Sequence, residues 1–194
     1  YEKFIRHNIE LSKAYQSALI DSTTVGYFGA EGSHTHTAAR NLFPCEKAVS
    51  FDTFEQIFDA VQAGELSYGV IPFENSNTGD VGNILDLLKS HDVYIRGMYD
   101  LKIRQNLLGL PGANLADIRT VYSHPQGLMQ CKEFLQSAGI AQESYASTAL
   151  AAKYIREKGD PTCGAIASLA TAELYDLAVL AADINTLHDN TTRF

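Results

Sequence analysis

The chain has no tryptophan, and only three cysteines, two methionines and five prolines in 194 residues. Cations are also short: 15 Lys and Arg stand against 23 Asp and Glu, a formal net charge of -8. Each shortage excludes something. A nucleic-acid binder needs clustered Lys and Arg against phosphates, so the acidic balance argues against a nucleic-acid partner. It disfavours an anionic membrane surface too, yet leaves room for a small anion in a locally positive pocket. No apolar run reaches the ~18 residues a membrane span requires, so no membrane partner is expected. The opening stretch lacks the charged-then-apolar pattern of a signal peptide. Cys45, Cys131 and Cys163 are odd in number, far apart and without C-x-x-C spacing. Reduced thiols fit that spacing better than a disulfide framework or a zinc site, and the cytoplasm is the expected location.

What is present is ordinary globular material, 45% hydrophobic and 20% charged. The length suits one good core or two small lobes of a single domain. The opening stretch, YEKFIRHNIELSKAYQSALID, reads as a helix, with Phe4, Ile5, Ile9, Leu11, Ala14, Tyr15, Ala18 and Leu19 recurring near a 3.6 period. It forms a separate element over residues 1–21. Beyond Thr24 the pattern alternates. TVGYFG, AVSF and SYGVIPF read as strands; the segment after GAEGS, DTFEQIFDAVQAGE and NILDLLKSH read as helices, the second capped by Asp52 or Thr53 and stopped by Gly64. Two extended runs, VYIRGMY and LKIRQNLLGL, follow. A second series then begins: strands RTVYS, IAQES, CGAIAS and LAVLAADI alternate with helices PQGLMQCKEFLQSAG, STALAAKYIREKG and LATAELYD. Such alternation implies parallel β-α-β units and an α/β fold. Two series joined by extended runs predict two α/β lobes with a cleft between them, lobe 1 over about 22–100 plus 185–194 and lobe 2 over about 101–184.

Ligands of such folds sit where strand ends meet helix N-termini. Four loops qualify. GAEGSHTH offers a glycine turn and a helix N-terminus with Ser33, Thr35 and Thr37, which suits an anion or an ordinary cap. His34 and His36 lack a carboxylate or Cys at ligand spacing, so no metal is expected. IPFENSNTGDVGN crowds Glu74, Asn75, Ser76, Asn77 and Thr78 at a strand end, either as a binding loop or as an Asx-rich turn. In VYSHPQGLMQC, Ser123 and His124 point to opposite sides of an extended chain, so they are not a nucleophile–base pair; Gln126 and Gln130 are four apart and share a helical face. In ASTALAAKYI, Ser147 and Thr148 precede an Ala-rich helix, where an N-cap is the simplest role.

In order, GYFGAEGSHTH, VIPFENSNTGDV, YSHPQGLMQC and the closing NTTRF resemble the prephenate dehydratases from Val25 to Phe194. The T-R-F triplet and the E-N-S/T-x-x-G loop are the most specific parts. The resemblance implies two α/β lobes like a type 2 periplasmic binding protein. It implies a decarboxylating dehydration of prephenate to phenylpyruvate, with no cofactor or metal and with a homodimer as the working form. Catalytic roles carry over to Thr192 at the departing hydroxyl, to Asn75, Ser123 and Gln130 as orienting groups, and to Glu74 in their support. Substrate contacts are expected from Arg193, Ser76, Ser33, Thr35, Ser147, Thr148 and Phe194; Arg193 is either a carboxylate clamp or a structural residue. Arogenate dehydratase on the same scaffold and a non-catalytic small-anion binder are the alternatives. Two positions depart from the family pattern: Ala30 stands where Pro is usual, and Gln105 where His is common, which weakens any role for it. In the family an ACT-type domain that binds phenylalanine follows the triplet, and IELSKAYQ is similar to the last helix of chorismate mutase domains. The expectation is therefore a catalytic piece of a longer protein, with the ACT domain absent from it.

Overall fold

The computed structural model describes residues 23–194, so the helix expected over 1–21 lies outside the described residues. The first lobe opens with β1 (Thr24–Phe28), α1 (His34–Leu42), β2 (Lys47–Phe51), α2 (Phe54–Gln62) and β3 (Tyr68–Val70). The three strands are parallel in the order β2-β1-β3. Thr53 caps α2 in a capping box with Gln56, choosing between the two predicted caps.

β3 runs on through Ile71–Phe73 into a second, antiparallel sheet. Its members are β4 (Glu74–Asn75), β5 (Gly79–Asp80), β6 (Asp100–Lys102) and β12 (Thr191–Arg193), in the order β5-β4-β12-β6, with α3 (Ile84–Ser90) between β5 and β6. The polar stretch read from sequence as a loop is thus a tight hairpin whose Glu74 and Asn75 pair with the chain's closing segment. The extended run predicted at VYIRGMY is ladder-free over residues 93–98; only Tyr99 pairs, exchanging both backbone bonds with Phe194.

The second lobe is one five-stranded sheet, β11-β7-β10-β8-β9, comprising β7 (Asn106–Gly109), β8 (Thr120–Ser123), β9 (Ala141–Ser144), β10 (Cys163–Ala167) and β11 (Ala178–Ala181). Helices α4 (Pro125–Gln130), α5 (Lys132–Ala138), α6 (Thr148–Lys158) and α7 (Leu169–Leu174) cover it. The single helix predicted from Pro125 to Gly139 is broken at Cys131, whose backbone leaves the helical region. Period-two alternation places the sheet between two apolar layers. Leu107, Val121 and Ile166 face one layer with Leu128, Leu135 and Ile140, whereas Leu108, Ala165 and Ala167 face the other with Ala151, Ala152 and Ile155. Among the described residues no helix is long and apolar enough to cross a membrane.

Two features join the lobes. The crossing segments are stapled by Asn185: its Oδ1 accepts from the Gln105 N–H (2.7 Å) and its Nδ2 donates to the Ile103 carbonyl (3.2 Å). The second feature is a seam at Gly32. Its carbonyl accepts from Thr171 Oγ1 (2.7 Å) and Ser168 Oγ (3.2 Å), both on the other lobe. Gly32 has φ +84°, and a Cβ there would meet Leu174 Cδ2 at 3.1 Å and Thr171 Oγ1 at 3.3 Å. Gly64, at φ +76°, would meet nothing within 4 Å. Gly64→Ala should therefore cost only backbone strain, about 1–3 kcal/mol, and Gly32→Ala should cost more, because it also wedges the seam. Urea denaturation of both variants checks this; equal losses would mean that the seam contributes nothing.

Candidate active site

Two of the predicted residues, Asn75 and Thr192, meet across a strand pair. Asn75 is buried at the end of β4, directly opposite Thr192 on β12. Its Oδ1 accepts from two backbone groups, the N–H of Asn77 (3.0 Å) and the N–H of Thr78 (3.2 Å), and from Thr78 Oγ1 (3.3 Å). Backbone N–H groups can only donate, so the orientation of the amide is fixed. Its Nδ2 must then face the other way, where it donates to Thr192 Oγ1 (2.8 Å) and Asn190 Oδ1 (2.8 Å), with a longer approach to the Thr191 carbonyl (3.3 Å).

Thr192, also buried, accepts from Asn75, and its own proton has no acceptor among the described residues. The site thus holds a hydroxyl with one lone pair occupied by Asn75 and an O–H free to donate. Asn190 is 1% exposed and its Nδ2 is likewise without a partner. Sequence reasoning missed Asn190. The signal was present, because it lies two residues before Thr192 and so on the same strand face.

Strand alternation puts Phe194 on that face too. Phe194, two residues beyond Thr192, is buried with Val25, Tyr27, Ala38 and Ala39; it is a core residue of the first lobe and also walls an apolar groove of about 410 Å³ between β3 and residues 93–98. Arg193 and Glu74 point to the opposite face. The Arg193 guanidinium forks onto Asp100, Nε to Oδ1 at 2.8 Å and Nη2 to Oδ2 at 3.1 Å, and lies 3.7 Å from Glu74. Hydrogen bonding to Arg193 holds the Asp100 carboxyl below its ordinary pKa, while Asp100 raises that of the guanidinium. Of the two roles expected for Arg193, the geometry is that of a cross-strand clamp. Glu74 meets Arg193 and makes no hydrogen bond to Asn75.

α1 starts from the loop that carries the Gly32 seam. Ser33 caps it, accepting from the His36 N–H at 3.2 Å, and Thr35 is buried in its first turn. His34 is half-buried: burial pushes its pKa down to about 4 against an opposing contribution from the Arg104 backbone, and its Nε2 has no partner among the described residues. It is neutral at pH 7. His36 Nδ1 accepts from the Gly32 N–H at 3.1 Å, and its ring lies 4.8 Å from that of Tyr27. Ser76 is exposed and braces the closing segment, its Oγ accepting from the Thr191 N–H at 3.0 Å.

The second lobe contributes a separate group. Ser123, fully buried at the end of β8, donates its hydroxyl to the Ile166 carbonyl (2.8 Å), leaving only lone pairs to offer. A Cβ on Gly127 would strike Ser123 Oγ at 2.8 Å and the Thr148 methyl at 3.3 Å, so Ser123, the α4 backbone and Thr148 are packed together. Ser147 caps α6, accepting from the Leu150 N–H at 3.1 Å. His124 is exposed and caps α4, so no Ser–His pair exists. Gln130 accepts from Gln105 Nε2 at 3.1 Å. Gln105, whose role the sequence discounted, is 3% exposed and its Oε1 is unpartnered. The first-lobe group and this one are linked by the crossing segment, which pairs with Thr192 at Leu101 and reaches Gln130 from Gln105.

Residues 25–194 match the family model described as prephenate dehydratase. "Arogenate dehydratase 2" of Petunia hybrida is 41% identical over 170 residues, covering 88% of this chain and 43% of that protein. Two solved structures superpose with a TM-score of 0.81. One is GqqA, described as a quorum-quenching acylase, at 32% identity, covering 88% of this chain and 62% of that one. The other is a prephenate dehydratase with L-Phe from Arthrobacter aurescens, at 26% identity, covering 89% of this chain and 59% of that one. The fold is accordingly the two-lobed, type 2 periplasmic-binding-protein-like α/β fold. The chain spans less than half the length of the curated relatives it matches. With the family model covering nearly everything after the first 24 residues, the chain belongs to the prephenate dehydratase family.

Proposed function

We infer that this chain is the catalytic unit of a dehydratase that converts prephenate to phenylpyruvate. The observation that carries the reading is the fixed polarity of the Asn75 amide, which leaves the buried Thr192 O–H as a donor with nothing to donate to. In the reaction, the ring carboxylate leaves as carbon dioxide. Its bonding pair enters the ring, which becomes aromatic. The pair of the ring C–O bond leaves with the hydroxyl, which takes one proton and departs as water. Aromatisation supplies the driving force, so no strong nucleophile is required. The protein's tasks are to hold a dianion, align the two breaking bonds and hydrogen-bond the departing oxygen.

Thr192 is assigned to that oxygen, as a positioned donor or proton relay. The N-terminal end of α1, with Ser33 and Thr35, favours a substrate carboxylate through its free N–H groups and dipole. The neutral His34 beside it adds no charge of its own. Ser123 offers a lone pair and Gln130 an amide from the second lobe; Thr148 and Ser147 line the same end of the sheet. Arg193 and Glu74 support β12 from behind. A homodimer is part of the reading, and light scattering that gives a monomer for the full chain would remove it. Arogenate, which carries an amine in place of the side-chain ketone, is the second reading, favoured by the 41% identity to a plant arogenate dehydratase.

Thr192→Ala should lower kcat by at least ~10²-fold with circular dichroism unchanged. An active Thr192→Ala enzyme would end the mechanism as stated. Phenylpyruvate absorbance for prephenate, and phenylalanine release for arogenate, measure turnover and rank the two substrates by kcat/KM. Asn75→Asp should be comparably damaging, because a carboxylate there would capture the Thr192 proton for itself. Combined with Thr192→Ala, it should lose little beyond either single change, since both remove one unit. Fully multiplicative losses in that double variant would contradict the shared hydrogen bond.

A further inference from the structure

We propose that Asn190 touches the substrate: its side-chain N–H group and the Thr192 hydroxyl form a two-pronged donor for the oxygen leaving the ring. The inference rests on the dehydratase reading above and adds to it a residue that the resemblance did not supply.

Hydrogen-bond polarity fixes which end of each amide faces where. Asn77 and Thr78 fix the Asn75 amide with Nδ2 facing β12. Asn75 Nδ2 donates to Asn190 Oδ1 at 2.8 Å, so the Asn190 amide is fixed as well. Its Nδ2 is then a donor by construction, just as Thr192 is. Both residues bond one amide nitrogen, Asn190 through Oδ1 and Thr192 through Oγ1, and its two diverging hydrogens set those oxygens about 5 Å apart. The departing oxygen is assigned the place where the Asn190 Nδ2 and the Thr192 O–H both reach it.

Burial sharpens the point. Asn190 is 1% exposed, yet its N–H group has no acceptor among the described residues. Buried donors are seldom left unpaired, and one that is calls for a ligand or a special role. Nothing about Asn190 suggests looseness: its carbonyl accepts from the Ile103 N–H at 2.9 Å and its Oδ1 is held by Asn75. Asn190 lies two residues before Thr192, so alternation along the extended chain puts it on the Thr192 side and not on the Arg193 side.

A purely structural Asn190 would serve only as the acceptor that Asn75 needs. Asn190→Asp separates the two roles. It keeps an oxygen facing Asn75 and replaces the free donor with a carboxylate oxygen. If Asn190 contacts the departing oxygen, kcat of the full chain should fall ~10²-fold at pH 8, the scale of one lost positioned donor. Toward pH 5 the new carboxyl takes up a proton and presents an O–H again, so the deficit should shrink by at least ~10-fold. Asn190→Ala should lose kcat at every pH while its affinity for phenylpyruvate, which lacks the departing hydroxyl, stays within about threefold of the parent. Circular dichroism and a melting curve check folding. An Asn190→Asp enzyme within about threefold of the parent, a deficit that does not change with pH, or an Asn190→Ala variant that loses phenylpyruvate affinity as well, overturns the proposal. Failure of both variants to fold assigns Asn190 to the scaffold and overturns it too. An unaltered chain that turns over neither prephenate nor arogenate removes the dehydratase reading itself, a different outcome from any of these.

Discussion

The site depends on a single amide held the right way round. Asn75 could in principle present either end to β12, and the two orientations have opposite consequences. Two backbone N–H groups, from Asn77 and Thr78, decide the matter because they cannot accept. Everything downstream inherits that choice: Thr192 and Asn190 become acceptors toward Asn75, which leaves the Thr192 O–H and the Asn190 Nδ2 without an acceptor among the described residues. The energy for this polarity comes from the hairpin turn, which would otherwise leave its own N–H groups unsatisfied. Local backbone satisfaction and catalytic preorganisation are here the same set of bonds.

The sheet then sorts the closing strand by parity. Thr192 and Asn190 turn toward Asn75 and Phe194 toward α1; Arg193 turns away to Asp100 and Glu74. The two faces do different work. The exposed ion-pair cluster tethers β12 to its neighbours on either side at modest gain, since its partners are solvated. Phe194 anchors the strand in the first-lobe core. A strand held from behind and beyond places a hydroxyl with little freedom, which is what a positioned donor requires.

Neither lobe is complete as a site. The first supplies donors and a helix N-terminus. The second supplies the Ser123 lone pair, the Gln105–Gln130 contact and the caps of α4 and α6. What keeps these in register is a pair of crossing segments stapled by Asn185 and a seam at Gly32, where a carbonyl from one lobe accepts two hydroxyls from the other. The seam touches the same α1 entry loop that carries Ser33, so the relative placement of the lobes and the start of α1 are set together.

The sequence by itself determined a good deal. Alternating strand and helix patterns specified two α/β series, because apolar periodicity reports which faces are buried. The Asx-rich turn at Asn75 and the caps at Thr53, Ser33 and Ser147 were legible because capping is a local contest for nearby N–H groups. The family resemblance supplied Thr192 and its companions. Only the tertiary structure decided the rest. It decided that Arg193 spends its fork on Asp100, that Gln105 reaches Gln130, and that Asn190 takes the Asn75 N–H beside Thr192 while its own Nδ2 finds no partner among the described residues. Those outcomes depend on pairings between residues 25 to 117 positions apart. No local periodicity encodes them, because which donor meets which acceptor is fixed only when the strands align and water is excluded.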